Sequence, residues 1–231
     1  MHILAIGAHP DDLEIFTYGT LAAWASMGAT LTLCIATDGA KGGRLPPDDL
    51  RRLRATETGA ALAPLGFGAP LGLGFPDGGL RADAALEGAL TDLIDQTAPD
   101  LVLTHAPNDY HADHRALSLA AAQATGFTVP LLWMDTLNGT GFQPTHWVDV
   151  TPHWPAKEQA IRAHTSQDPE RFVHMANRQA AFRAGECNAP PKARAEAFCF
   201  EPRFPFADIR ALLPPAPPIR PIGHRSGPVP S

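Results

Sequence analysis

Two short polar clusters carry the chemistry open to this chain. The first is His9-Pro10-Asp11-Asp12-Leu13-Glu14; the second, about a hundred residues later, is His111-Ala112-Asp113-His114. Together they offer three imidazoles and three aspartates. Two histidines and one aspartate can hold a single metal ion, which leaves a carboxylate and an imidazole for proton transfer. That is the inventory of a mononuclear metal hydrolase. His9 and Asp12 are three residues apart, so both can converge on one ion where a helix begins, while Asp11 between them points elsewhere. His9, Asp12 and His114 are the expected ligands. Zinc suits such an open site, with water in a remaining position. Ferrous iron or manganese would accept the same nitrogen and oxygen donors.

The other polar groups divide the proton work. Asp11 is the candidate general base. His111 is the candidate general acid or oxyanion stabiliser, and Asp113 is expected to bond its imidazole and hold it charged. Glu14 is a candidate partner for the imidazole of His9. Plainer readings compete. Paired aspartates are common at helix starts, so His9 and Asp12 could simply cap the first helix, and Asp113 could cap the helix that follows it. What decides is whether the fold brings the two clusters together.

The elements between them say that it should. His2 to Gly7 reads as a short buried strand, and Leu13, Phe16, Ala23, Trp24 and Met27 share one helical face, with Gly28 where such a helix would end. Further strands are expected over Thr30 to Ala36, Ala69 to Leu73, Asp100 to Thr104, Val129 to Met134 and Thr145 to Val150. Helices are expected from Asp48, as N-cap, to about Ala63, over Asp83 to Thr97 and over Ala112 to Ala124. Strands alternating with helices imply βαβ crossovers, an α/β fold and a mostly parallel sheet. Ligands of such sheets bind beyond the carboxyl ends of the strands. Both clusters directly follow a strand, so the topology puts them on one rim. In the last third, Ala156 to His164 and Pro169 to Ala184 read as helices and Ala197 to Phe200 as a final strand. Residues 1–200 are thus expected to form the domain, and 201–231, rich in proline, an extended or disordered tail.

Composition narrows the function further. The chain has 231 residues, is 45% hydrophobic and carries a formal charge of −6, which supports one sizeable core and argues against a nucleic-acid partner. Its three cysteines lack Cys-x-x-Cys spacing and read as core thiols of a reducing compartment. The apolar run Ile3 to Ala8 is too short for a signal peptide, and no segment reaches the length of a membrane span, so a cytoplasmic location is expected.

Ala8-His9-Pro10-Asp11-Asp12-Leu13-Glu14 taken with His111-Ala112-Asp113-His114 resembles the LmbE/PIG-L family of zinc-dependent de-N-acetylases, which includes enzymes of the bacillithiol and mycothiol pathways and of GlcNAc-phosphatidylinositol. Weaker matches follow: Arg54-Ala55-Thr56-Glu57, Gly74-Phe75-Pro76-Asp77-Gly78, Lys157 with His164-Thr165-Ser166-Gln167, and Ala195-Glu196-Ala197-Phe198. The resemblance covers about residues 2–200. It implies a Rossmann-like three-layer α/β/α fold, removal of an N-acetyl group from an amino sugar or its conjugate, the ligand and acid–base roles given above, and a homo-oligomer, commonly a hexamer. It also implies substrate contacts for Arg54, Asp77 and His164; the plain alternatives are an Arg54–Glu57 salt bridge, an Asx turn at Asp77 and a packed or capping His164. Two positions depart from the pattern. Ala112 replaces a proline, and Tyr110 replaces an arginine that many members carry. Tyrosine can hydrogen-bond an oxyanion or stack on a sugar but cannot pair bidentately, so a substrate recognised there by its carboxylate is disfavoured.

Two other functions fit less well. A nucleotide-binding module would want a glycine-rich loop after the first strand, where this chain has two carboxylates that repel pyrophosphate. A metal phosphohydrolase or other metal-dependent amidase could use His-x-Asp-His, but two-metal sites need more bridging carboxylates.

Overall fold

The structure, a computed structural model, describes residues 1–220 and 222. The apolar run at the start forms β1 (His2–Gly7), which lies in the middle of a seven-stranded sheet. The other strands are β2 (Thr30–Thr37), β3 (Leu71–Phe75), β4 (Leu101–His105), β5 (Leu131–Met134), β6 (His146–Asp149) and β7 (Ala195–Phe200), in the order β3-β2-β1-β4-β5-β7-β6. The first five strands are parallel; β7 is antiparallel to both β5 and β6. Strand alternation divides the core. Ile3 and Ala5 of β1 face one apolar layer with Leu13, Trp24, Ile161 and Val173, whereas Leu4 and Ile6 face another with Leu86, Leu90 and Leu117. The helices behind these layers are α1 (Asp12–Phe16), α2 (Tyr18–Ser26), α3 (Pro47–Leu62), α6 (Trp154–Arg162) and α7 (Pro169–Glu186) on one side, and α4 (Ala84–Thr97) and α5 (Ala112–Thr125) on the other. This is the expected three-layer α/β/α arrangement.

The order β2-β1-β4-β5 makes the gap between β1 and β4 the point where chain connections depart to opposite sides, the place where open α/β sheets bind ligands. β1 ends at Gly7, two residues before His9, and β4 ends at His105, six before His111.

Several boundaries differ from the sequence expectation. The single helix expected after β1 is broken at Thr17 (φ −143°) into α1 and α2. The cause is tertiary: the Glu196 carboxylate accepts hydrogen bonds from the N–H groups of Gly19 (3.0 Å) and Thr20 (2.8 Å), starting a new helix there. Gly19 is needed for this approach, because a Cβ would lie 2.6 Å from Val150. Asp48 does not cap α3. Pro46 does, and Asp48 sits in the first turn, where it accepts from Arg51 (2.6 Å). β3 begins two residues later than expected, so Gly74 and Phe75 belong to it. Beyond Phe200 the chain still touches the body: Ile209 is buried, Trp24 Nε1 donates to the Leu212 carbonyl (2.7 Å), and Asp149 N donates to that of Pro215 (2.9 Å). Pro221, Pro228 and Pro230 of the expected tail lie outside the described residues. The three cysteines are unpaired, and burial pushes the Cys34 thiol up to about 12. No helix among the described residues is long and apolar enough to cross a membrane.

Candidate functional site

The turn after β1 sets the first cluster. Asp11 has φ 109°, a left-handed conformation that aspartate tolerates better than most residues. This lets the chain reverse into α1 with Asp11 and Asp12 facing different ways. Asp12 Oδ2 accepts from the backbone N–H of His9 (2.7 Å) and meets His105 Nε2 (2.9 Å), which leaves Oδ1 directed at His114 Nε2 (3.4 Å).

The second cluster comes from the start of α5. His114 Nε2 lies 3.3 Å from His9 Nδ1, which is 3.4 Å from Asp12 Oδ2. The three expected ligands thus lie side by side, His9 Nδ1 facing Asp12 Oδ2 and His114 Nε2 facing Asp12 Oδ1, and the groups whose donor atoms are close enough to hold an ion are His9 with His111 and His114, Asp12 with His105 and His114, and His9 with Asp77 and Asp113. Tetrahedral donors at zinc bond lengths of roughly 2.0–2.1 Å stand about 3.3–3.4 Å apart, the spacing seen between these atoms. The outer nitrogens face carboxylates: His9 Nε2 lies 3.2 Å from Asp113 and 3.4 Å from Asp77, and His114 Nδ1 lies 3.1 Å from Asp109. Such partners fix the tautomer and rotation of a metal-binding imidazole. The charge balance agrees. Burial alone would lower His9, but hydrogen bonds to Asp113, Asp12 and Asp77 push it up to about 12; His114 is likewise raised against its burial to about 9, chiefly by Asp12 and Asp109. A surplus of carboxylate charge surrounds these two rings, and a divalent cation would neutralise it. The residues fit a metal ion on charge, donor type and spacing.

Asp11 and His111 stand beside this point. Burial raises Asp11 to about 7, against the pull of Arg54, whose Nη2 lies 3.4 Å from its carboxylate and donates to the Pro10 carbonyl at 2.6 Å. Asp12 behaves oppositely: burial would raise it, but His114 and His105 hold it well below the usual carboxylate range. His111 is the N-cap of α5, its Nδ1 accepting from Asp113 N–H (3.2 Å). With Nδ1 occupied as an acceptor, the proton of the neutral ring must sit on Nε2. Burial and the neighbouring His9 and His114 lower its pKa.

The expectation for Asp113 needs correcting here. Its carboxylate does not hold His111 charged; it accepts from Gly78 N (2.7 Å) and Leu80 N (3.3 Å) and turns to His9. Glu14 is not the partner of His9 but lies 2.9 Å from His164 Nε2. His164 is 2% exposed and does not line the cleft, so it is placed as the packed histidine and not as a substrate contact. Arg54 does not pair with Glu57, which accepts from Thr165 and Ser166 instead; it bridges Asp11 and Asp77 (3.5 Å). Asp77 and Tyr110 do border the cleft, Tyr110 being 64% exposed at its mouth.

Two residues that hold the cluster carried no expected role. Asp109 faces His114, and buried His105 stacks on it (centroids 3.6 Å apart) while bonding Asp12. Burial and His114 lower His105 to about 4, so it stays neutral. Asp109 is five residues before His114 in a loop leading to a helix, a separation that sequence periodicity does not interpret.

The cleft has a volume of about 330 Å³ and is lined by His9, Asp11, Asp12, Arg54, Asp77, Tyr110, His111 and His114, with Lys41, Gln167 and Phe172 at its outer wall. The sequence model of the family described as PIG-L, GlcNAc-PI de-N-acetylase, matches residues 4–125. The chain is 30% identical to the 1D-myo-inositol 2-acetamido-2-deoxy-alpha-D-glucopyranoside deacetylase of Mycolicibacterium smegmatis, over 71% of this chain and 79% of that one. Its fold is similar to that of the N,N'-diacetylchitobiose deacetylase of Pyrococcus horikoshii (TM-score 0.78, 23% identity, 87% and 83% covered). It is also similar to a 4-carboxy-2-hydroxymuconate hydratase from Pseudomonas putida (TM-score 0.76, 22% identity, 87% and 97% covered), so the fold alone does not select a reaction.

Proposed function

Since the chain belongs to the PIG-L (GlcNAc-PI de-N-acetylase) family, we propose that it is a metal-dependent hydrolase that removes the N-acetyl group from an N-acetylglucosamine-type amino sugar or a conjugate of one. The observation that supports this reading is that His9 Nδ1 and His114 Nε2 stand 3.3 Å apart with an Asp12 oxygen 3.4 Å from each, and with a carboxylate beside the other nitrogen of each ring. These three residues would hold the ion, with zinc favoured by the donor set. A divalent cation there supplies Lewis acidity, lowering the pKa of a water and polarising the acetamide carbonyl.

The chain's own groups do the rest. Asp11 takes a proton from the attacking water and returns it to the leaving amine. A carboxyl group near neutrality serves both steps, because it neither holds its proton too tightly nor releases it too readily. Arg54 fixes the direction of that carboxylate. His111 donates a hydrogen bond from its Nε2–H to the oxygen that becomes negative and keeps its proton, acting as a neutral donor oriented by the start of α5. Asp77 and Tyr110 border the space left for the sugar. Acetate and a free amine result.

The test is release of amine from a panel of N-acetylglucosaminides, before and after chelation and zinc replacement. Turnover that stops on chelation and returns with zinc is expected. Turnover indifferent to chelation, or an absence of turnover across the whole panel, would refute the reading.

A further inference from the structure

His105 is the last residue of β4 and is wholly buried, yet the proposed reaction assigns it no step. A polar ring in a core costs stability unless its nitrogens find partners. This ring spans two of the three expected ligands. Its Nε2 lies 2.9 Å from Asp12 Oδ2, and its face stacks on His114, with centroids 3.6 Å apart and planes 18° from parallel. Phe16 packs crosswise against both rings, its centroid 5.5 Å from that of His105 and 6.0 Å from that of His114. Packing therefore fixes the ring, and the ring in turn meets Asp12.

The proton on His105 can be placed. A carboxylate oxygen and a bare ring nitrogen repel each other at 2.9 Å, so the proton of the neutral ring sits on Nε2 and is donated to Oδ2. The Ala8 N–H, 3.2 Å from the same nitrogen, has the longer and weaker claim on it. Nδ1 makes no hydrogen bond among the described residues, so the ring's one strong bond is the one to Asp12. Asp12, His105 and His114 also place donor atoms close enough for an ion, but a protonated Nε2 has no lone pair to give one.

The consequence falls on Asp12. Its Oδ2 accepts from His105 Nε2 and from the backbone N–H of His9 (2.7 Å), whereas Oδ1 has His114 Nε2 beside it at 3.4 Å. One oxygen is engaged and the other is left for an ion. A carboxylate free at both oxygens can give two to manganese or calcium, which take roughly six or more ligands. One confined to a single oxygen suits zinc, which takes about four.

We propose that His105 is a positioning residue that makes Asp12 a one-oxygen ligand and so sets the preference of the site for zinc over ions of higher coordination number. The inference rests on the metal-dependent reading and goes beyond it by assigning the choice of metal to a residue outside the ligand set.

The test is chelator competition for zinc and for manganese by the metal-stripped protein in three forms: unaltered, His105→Leu and His105→Gln. Leucine keeps apolar bulk beside His114 and removes the donor. Glutamine can place an N–H where Nε2 stands. The leucine variant should bind zinc about 10–100-fold more weakly and manganese with a smaller loss, so that the zinc-to-manganese affinity ratio falls by about tenfold; glutamine should restore most of that ratio. With cobalt(II) in place of zinc, the strong visible bands of a low-coordinate site should weaken in the leucine variant and return with glutamine. A cooperative melting transition in each metal-free variant checks the fold. If leucine prevents folding, His105→Asn, whose amide falls short of Oδ2, takes its place. An unchanged ratio, or an equal loss for both metals, overturns the role of His105 and leaves the metal-dependent reading intact. No zinc bound by the unaltered protein overturns that reading and this inference with it.

Discussion

Charged groups are buried on both sides of the molecule, but they end differently. In the C-terminal third they close upon one another. Lys157 Nζ meets Glu196 at 2.6 Å, Arg183 meets Asp135 at 2.7 Å, and His164 meets Glu14 at 2.9 Å, all with side chains under 5% exposed. At the β1/β4 junction the groups stay open. His9 and His114 use one nitrogen each on a carboxylate and turn the other toward a shared space, with Asp12 beside them. Burial of charge is therefore no sign of a site by itself; what sets the β1/β4 junction apart is that donor atoms of several histidines and aspartates stand close enough together to share an ion. The closed pairs hold the frame: Glu196 starts α2, and Glu14 ties α1 to the segment after α6.

This contrast can be broken from either side. The largest expected effect is on activity. Asp11→Asn should lower kcat by about 10²–10⁴-fold, the range for loss of a general base, with metal content per chain unchanged by elemental analysis. Full activity in that variant would remove the open set's claim to chemistry. Next comes Lys157→Met, which strands the Glu196 carboxylate in the core and should cost on the order of 3–5 kcal/mol in urea unfolding. A cost near zero would mean that the closed pairs are not structural supports. Asp113→Asn should weaken metal affinity by about 10–100-fold, read by chelator competition, because His9 loses its brace.

The smallest effect concerns pH. Burial by itself would lower His164, but its hydrogen bond and attraction to Glu14 raise it above its ordinary value of 6.5. The folded state thus binds the proton more tightly than the unfolded one. The resulting stability is fully present below about pH 6.5 and is lost as pH rises through the folded value. His164→Gln should flatten that part of the melting-temperature profile.

The parallel half was largely legible in the sequence. Its strands are apolar runs, its helices are periodic, and the two clusters follow strands that topology places side by side. The residues of the candidate metal site were legible as types, since they are histidines and aspartates in two clusters that each follow a strand. What could not be read was direction. Asp113 and His111 are neighbours, so pairing them was natural; the helix start turns the Asp113 carboxylate to Gly78 and His9 instead. His164 and Glu14 are 150 positions apart, and nothing local marks them as partners. The break at Thr17 has the same origin, for it depends on a glutamate in the last strand.

The backbone at Asp11 has one further consequence. A non-glycine residue at φ 109° costs on the order of 1–3 kcal/mol, and its carboxyl group is buried besides. Glycine at this position would relieve both costs. A search for heat-resistant variants made without an activity screen would therefore be drawn to position 11, and on the proposed mechanism would return robust proteins that lack the general base.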